Sequence, residues 1–233
     1  MRIVVTCLII LTITSRMVHA GGTLHLTNDP WPPYTSDELA NGGIATHIVQ
    51  KTLQQAGYDS KVSLVPWERA LKGTMLGQYD ILITASFSEE RAKKVLYSEP
   101  YLENTITFLK LASSSYEYNT LKDIKGLKVG TIRGYLYSDE FDNATHFIKD
   151  DGATNIEANL QKLSLGRVDL IIGDTKTIDY YIDKKFDASD FSLLPKPVNS
   201  KPMHIIIRKN HPEAVEIIQN FDAALKLEVE NSN

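Results

Sequence analysis

Two short stretches of this chain follow the same plan, and they limit its fold more than any other feature. LGQYDILI at 76–83 and LGRVDLII at 165–172 each run from a helix-ending leucine and glycine through an aspartate into an apolar strand. Glycine closes a helix well because it enters the left-handed region without a Cβ clash. A branched apolar run after it reads as a strand covered on both faces. A helix that leads into a buried strand is the repeating unit of α/β architecture, so its recurrence predicts two lobes built on similar plans.

The intervening chain carries the same alternation. Residues 23–28 alternate Leu24 and Leu26 with polar side chains as a short strand, and the proline-rich turn DPWPPY at 29–34 ends it. Residues 44–56 place Ile44, Ile48, Val49, Leu53 and Ala56 on one helical stripe closed by Gly57. Residues 62–65 read as a strand. Pro66 opens a helix with Trp67, Ala70, Leu71 and Met75 inward, and 80–84 is a strand again. Further on, 105–109, 127–131, 169–173 and 203–208 read as strands, with helices at 177–185 and 212–227. Two links stand out: the small-residue stretch 110–115 and the proline-rich stretch 195–202. They divide the chain into lobe one, 21–110 with 203–233, and lobe two, 111–202. Two crossings between two lobes make a hinge.

Residues 1–20 have a basic start, an apolar run over 3–13 and small residues before Ala20, the pattern of a cleavable secretory signal. The apolar run is shorter than the roughly 20 residues of a spanning helix. Cys7, the only cysteine, would leave with it, so an exported chain without disulfides must rely on its core. Losing Arg2 and Arg16, with no acid before Asp29, takes the formal charge from −4 to −6. That balance argues against nucleic acid as a partner.

Ligands of open α/β sheets bind beyond the carboxyl ends of the strands. After the first echo strand come Thr84, Ser86 and Arg91; after the second come Gly173, Asp174 and Thr175. One lobe thus offers hydroxyls and a guanidinium, and the other a carboxylate. A small zwitterion needs both, a planar fork for its carboxylate and an anion for its ammonium. Helix capping accounts for the same residues: Ser88 as N-cap before Glu89 and Glu90, and Asp174 as N-cap of the helix that follows. On spacing alone both readings stay open.

ASFSEERA at 85–92 followed by LYSEPY at 96–101 resembles the ligand region of bacterial extracellular solute-binding proteins of family 3, the polar amino-acid receptors of ABC importers. Other pieces stand in the family's order: WPPY at 31–34, Gly43-Ile44, Val65-Pro66-Trp67, the two echo stretches, and LKDIKGLKVG at 121–130. The resemblance covers essentially the whole mature chain. It implies an α/β periplasmic-binding-protein fold of type II with two lobes and a two-segment hinge. It also implies a periplasmic monomer that captures an amino acid or analogue and presents it to a membrane permease. By the same resemblance Arg91 clamps the ligand carboxylate, helped by Ser86 and the backbone around Thr84, and Asp174 receives the ammonium. Trp31 and Tyr34 pack on the ligand side chain. The turn at Gly134 and Tyr135 brings lobe-two N–H groups to the carboxylate.

The chain departs from the family in two places. His47 stands where an acidic residue is common, and reads as a partly exposed helix residue. Bulky Tyr135, Leu136 and Tyr137 replace the small residues expected after Gly134. Trp67 reads as core. No nucleophile elbow, P-loop or paired metal-ligand histidines occur, so neither a catalytic set, a metal site nor a cofactor is expected. A sensor domain serving a membrane receptor is the second reading, and a dehydratase or lyase on the same fold the third.

Overall fold

The computed structural model describes residues 22–231, and the signal segment expected at 1–20 lies outside them. One ten-stranded mixed sheet runs through the molecule. Its first part holds β1 (Leu24–Asn28), β2 (Ser60–Leu64) and β3 (Ile81–Ser86), all parallel, with β1 in the middle. The helices α1 (Ile44–Gln55) and α2 (Trp67–Leu76) supply the crossovers that parallel pairing demands. A short α3 (Glu89–Ala92) leads to β4 (Val95–Tyr97) and then to the long β5 (Leu102–Leu111).

The second part repeats the scheme. Here β6 (Lys128–Ile132) lies between β7 (Ile148–Ala153) and β8 (Leu170–Asp174), again in parallel. α4 (Asp139–Asn143) and α5 (Ile156–Ser164) join these strands. After α6 (Thr175–Lys185) and β9 (Phe191–Leu193), β10 (Asn199–Arg208) returns to the first part, where α7 (Ala214–Asn231) packs on α1. Among the described residues no helix is long and apolar enough to cross a membrane.

The echoed aspartates explain the repeat. Asp80 donates its N–H to the carbonyl of His25 at 2.8 Å and takes the His25 N–H on Oδ2 at 2.8 Å. Asp169 does the same with Lys128, at 2.8 Å and 2.7 Å. Each aspartate therefore closes a two-bond clasp onto the start of the neighbouring strand, at its second residue His25 in β1 and its first residue Lys128 in β6. Gly77 and Gly166, at φ +84° and +65°, turn the chain into each clasp.

Strand periodicity then builds two cores in each lobe. Ile81, Ile83, Ile205 and Ile207 face α1 and α7 in one core, whereas Leu82 and Ile206 face α2 in the other. In lobe two, Phe108, Leu170 and Ile172 join Phe141, while Leu109 and Ile171 join Leu160 and Ile178.

The crossing between lobes is not a loop. β5 pairs with β10 from Leu102 to Ile106, then with β8 from Ile106 to Lys110. From Ile106 onward its apolar side chains already belong to the lobe-two cores. The boundary expected at 110 falls at the far end of β5, and a turn follows it. Residues 199–202 of the second expected link are likewise strand, paired with β5. Two adjacent antiparallel strands carry the chain across in both directions.

Candidate ligand site between the lobes

The carboxyl ends of β1, β3 and β8 converge where the lobes face each other. Tyr34 is buried to 0% exposure, and its hydroxyl donates to Asp174 Oδ2 at 2.8 Å, a direct bond from lobe one to lobe two. Its ring leans on Trp31, with centroids 4.3 Å apart. The Trp31 loop closes on itself through the Trp31 N–H and the Thr35 carbonyl at 2.7 Å.

Asp174 caps its helix, as the capping reading has it, and its second oxygen meets the other lobe. Oδ1 accepts the Thr177 N–H at 2.7 Å and the Thr177 hydroxyl at 2.8 Å, capping α6, while Oδ2 looks across the cleft. Burial pushes its carboxyl above the ordinary range, and these donors act against that shift. Ser88 likewise caps α3, its hydroxyl accepting from the Arg91 N–H.

Arg91 folds back over the end of its own strand. Nη2 donates to the Ser86 carbonyl at 2.7 Å and lies 3.5 Å from the Ser86 hydroxyl. Its guanidinium stands 5.9 Å from the centre of the Trp67 ring, within cation–π range. The buried Nε has no partner. Trp67 therefore does more than the expected core packing: its inner side meets the small core around Leu82 and it also faces the arginine.

Two expected contributions take a different form. The N–H and hydroxyl of Thr84 both donate to Asn28 Oδ1, at 3.0 and 2.9 Å, so neither is free for a carboxylate. In the lobe-two turn, the Tyr135 N–H is bonded to the Ile132 carbonyl and the Arg133 N–H to the Ala153 carbonyl. Gly134 takes φ +78°, which lets this tight turn form. Tyr135 itself is 56% exposed. Burial, and then the charge of the Asp29 carboxylate, push its phenol above the ordinary range. His47 is exposed on α1.

Asn28 and Asp29 were not singled out from the sequence, where they read only as the point at which a strand stops. The rule that ligands collect beyond strand ends could have found them, because they end β1 just as Thr84 and Ser86 end β3. Asp29 is half-buried, and desolvation raises its carboxyl to about 6. Asn28 Nδ2 donates to its Oδ1 at 3.1 Å.

Comparison with known proteins bears on the family and the fold. The model of "Bacterial extracellular solute-binding proteins, family 3" matches residues 25–231. The L-cystine-binding protein TcyJ of Escherichia coli K12 is 24% identical over 84% of this chain and 74% of its own. The putative ABC transporter arginine-binding protein 2 of the same strain is 24% identical over 86% and 82%. Among solved structures, the probable amino-acid ABC transporter extracellular-binding protein ytmK of Bacillus subtilis superposes with a TM-score of 0.76 at 17% identity, over 90% of this chain and 92% of that one, which establishes the shared fold. With the family match spanning nearly the whole described chain and the same two-lobe fold behind it, this protein belongs to the bacterial extracellular solute-binding proteins of family 3.

Proposed function

We propose that this protein captures an amino acid or close analogue by closing its lobes around it, and that it delivers the ligand from the periplasm to the permease of an ABC importer. It acts by binding, not by catalysis, and as a monomer. The observation that carries this reading is the placement of Arg91 and Asp174 at strand ends on opposite lobes, with Tyr34 reaching Asp174 across the cleft at 2.8 Å. Arg91 and Ser86 take the carboxylate, Asp174 takes the ammonium, and Trp31, Tyr34 and Tyr135 bound the side chain. A ligand bonded to both lobes favours the closed form by its difference in affinity for the two states. Asp29, a carboxylate without a basic partner among the described residues, suits a side chain that carries a hydrogen-bond donor.

A thermal-shift screen of the common amino acids against the protein and Arg91→Ala tests this. One ligand group should raise the melting temperature of the wild type. The variant should lose that response, with binding weakened by about 3–5 kcal/mol and little change in its ligand-free stability. No response to any amino acid, or a variant equally destabilised without ligand, would refute the reading.

A further inference from the structure

Lobe one carries a pocket that shares no lining residue with the groups assigned to the ligand above. It lies between α1, the loop that leads into α1, and β2, the edge strand of the sheet, and its volume is about 190 Å³. Ser36, Asp37, Thr46 and Gln50 supply its polar wall, and Val62 and Leu64 its apolar one. Pockets for drug-sized ligands start at about 300 Å³, so this one suits a molecule of few heavy atoms.

Most of the hydrogen-bonding capacity left in this pocket is that of an acceptor. Thr46 is 2% exposed, and its hydroxyl has no partner. A buried hydroxyl left unpaired is uncommon in native proteins and calls for an account. Gln50 commits Nε2 to Ser60, at 3.3 Å to the hydroxyl and 3.4 Å to the carbonyl, which leaves Oε1 to accept. The Ser36 hydroxyl oxygen already takes the Glu38 N–H at 3.1 Å. Asp37 adds a carboxylate, and no lysine, arginine or histidine lines the pocket.

We infer that this pocket is a separate binding site for a small primary alkylammonium. Such a cation brings a positive charge and three N–H donors to Asp37, Thr46 and Gln50. Its alkyl stem lies on Val62 and Leu64. A carboxylate or phosphate would meet the Asp37 charge instead and is disfavoured. The site stands on its own lining and does not depend on the amino-acid reading of the cleft.

Methyl NMR of the whole protein at about pH 7 tests the site, with n-butylammonium as the probe and n-butanol as its neutral counterpart. Neither molecule has a carboxylate for Arg91. The ammonium should shift the Val62 and Leu64 methyl signals saturably, in the millimolar range expected for so few heavy atoms, and the alcohol should not. Asp37→Asn should weaken binding about tenfold. Thr46→Val should weaken it about fivefold, the worth of one hydrogen bond. Both variants should fold, because Asp37 is exposed and valine keeps the shape of threonine while removing an unpaired hydroxyl. The melting temperature of Thr46→Val without probe should therefore not fall.

An equal response to both probes, or an ammonium response that survives either substitution, would overturn the site. A shift of the Thr84 methyl with Val62 and Leu64 unmoved would put the amine in the cleft, and overturns it too. A wild type without any saturable shift overturns it as well, and leaves the amino-acid reading of the cleft intact.

Discussion

Burial raises the Asp29 carboxyl from 3.8 to about 6, which gives the ligand-free protein a pH dependence of definite sign. Below about pH 4 the group is protonated folded and unfolded and contributes nothing. Between about pH 4 and 6 the folded state holds the proton more tightly, so stability falls as pH rises; above that the full cost, up to about 3 kcal/mol, is present. Asp29→Asn should therefore match the wild type in urea unfolding at pH 4 and exceed it at pH 8. An equal difference at both pH values would place the effect elsewhere. At this scale the sequence was legible in residue type but not in direction. Thr84 lies where the family places a ligand contact, yet its donors point at Asn28, because the parallel pairing of β1 with β3 brings the two strand ends together.

At the element scale, a helix cap falls on a residue proposed as a ligand group. A strand that ends beside a helix start leaves a polar side chain free to satisfy the first-turn N–H groups and still face the cleft. Asp174 does this at the start of α6. Asp174→Asn keeps an oxygen for the Thr177 N–H but removes the charge. Its melting midpoint should shift by the equivalent of no more than about 1 kcal/mol. Ligand affinity by calorimetry should fall about a hundredfold or more. A large stability loss with affinity retained would make Asp174 a cap and nothing else. The longer helices α1, α2, α6 and α7 and the buried strands were readable because their apolar residues keep one period throughout. The short β4, β7 and β9 were not, and β7 is largely polar and half-exposed, so no apolar pattern marks it.

For the whole molecule, Tyr34 bonds to Asp174 from one lobe to the other at 2.8 Å, and Glu38 meets Lys184 at 3.6 Å. The second pair is exposed and contributes little. A hydrogen bond to a charged group is worth about 1.5–3 kcal/mol, so Tyr34→Phe should shift the ligand-free protein toward separated lobes. Small-angle scattering should then report a larger radius for the variant without ligand and the same radius for both with ligand bound. Identical radii without ligand would show that this bond does not hold the lobes together.

The sequence by itself determined the α/β units, their duplication and the residues at the two echoed strand ends, because each follows from local periodicity, glycine turns and strand polarity. Only the tertiary structure decided where the chain crosses between lobes and which donors remain for a ligand. Both depend on register. The pairing of β5 with β10 and then β8 carries the hinge into strand, and the pairing of β1 with β3 commits Thr84 to Asn28. Register between distant strands is set by how the assembled faces pack, which a local pattern does not encode.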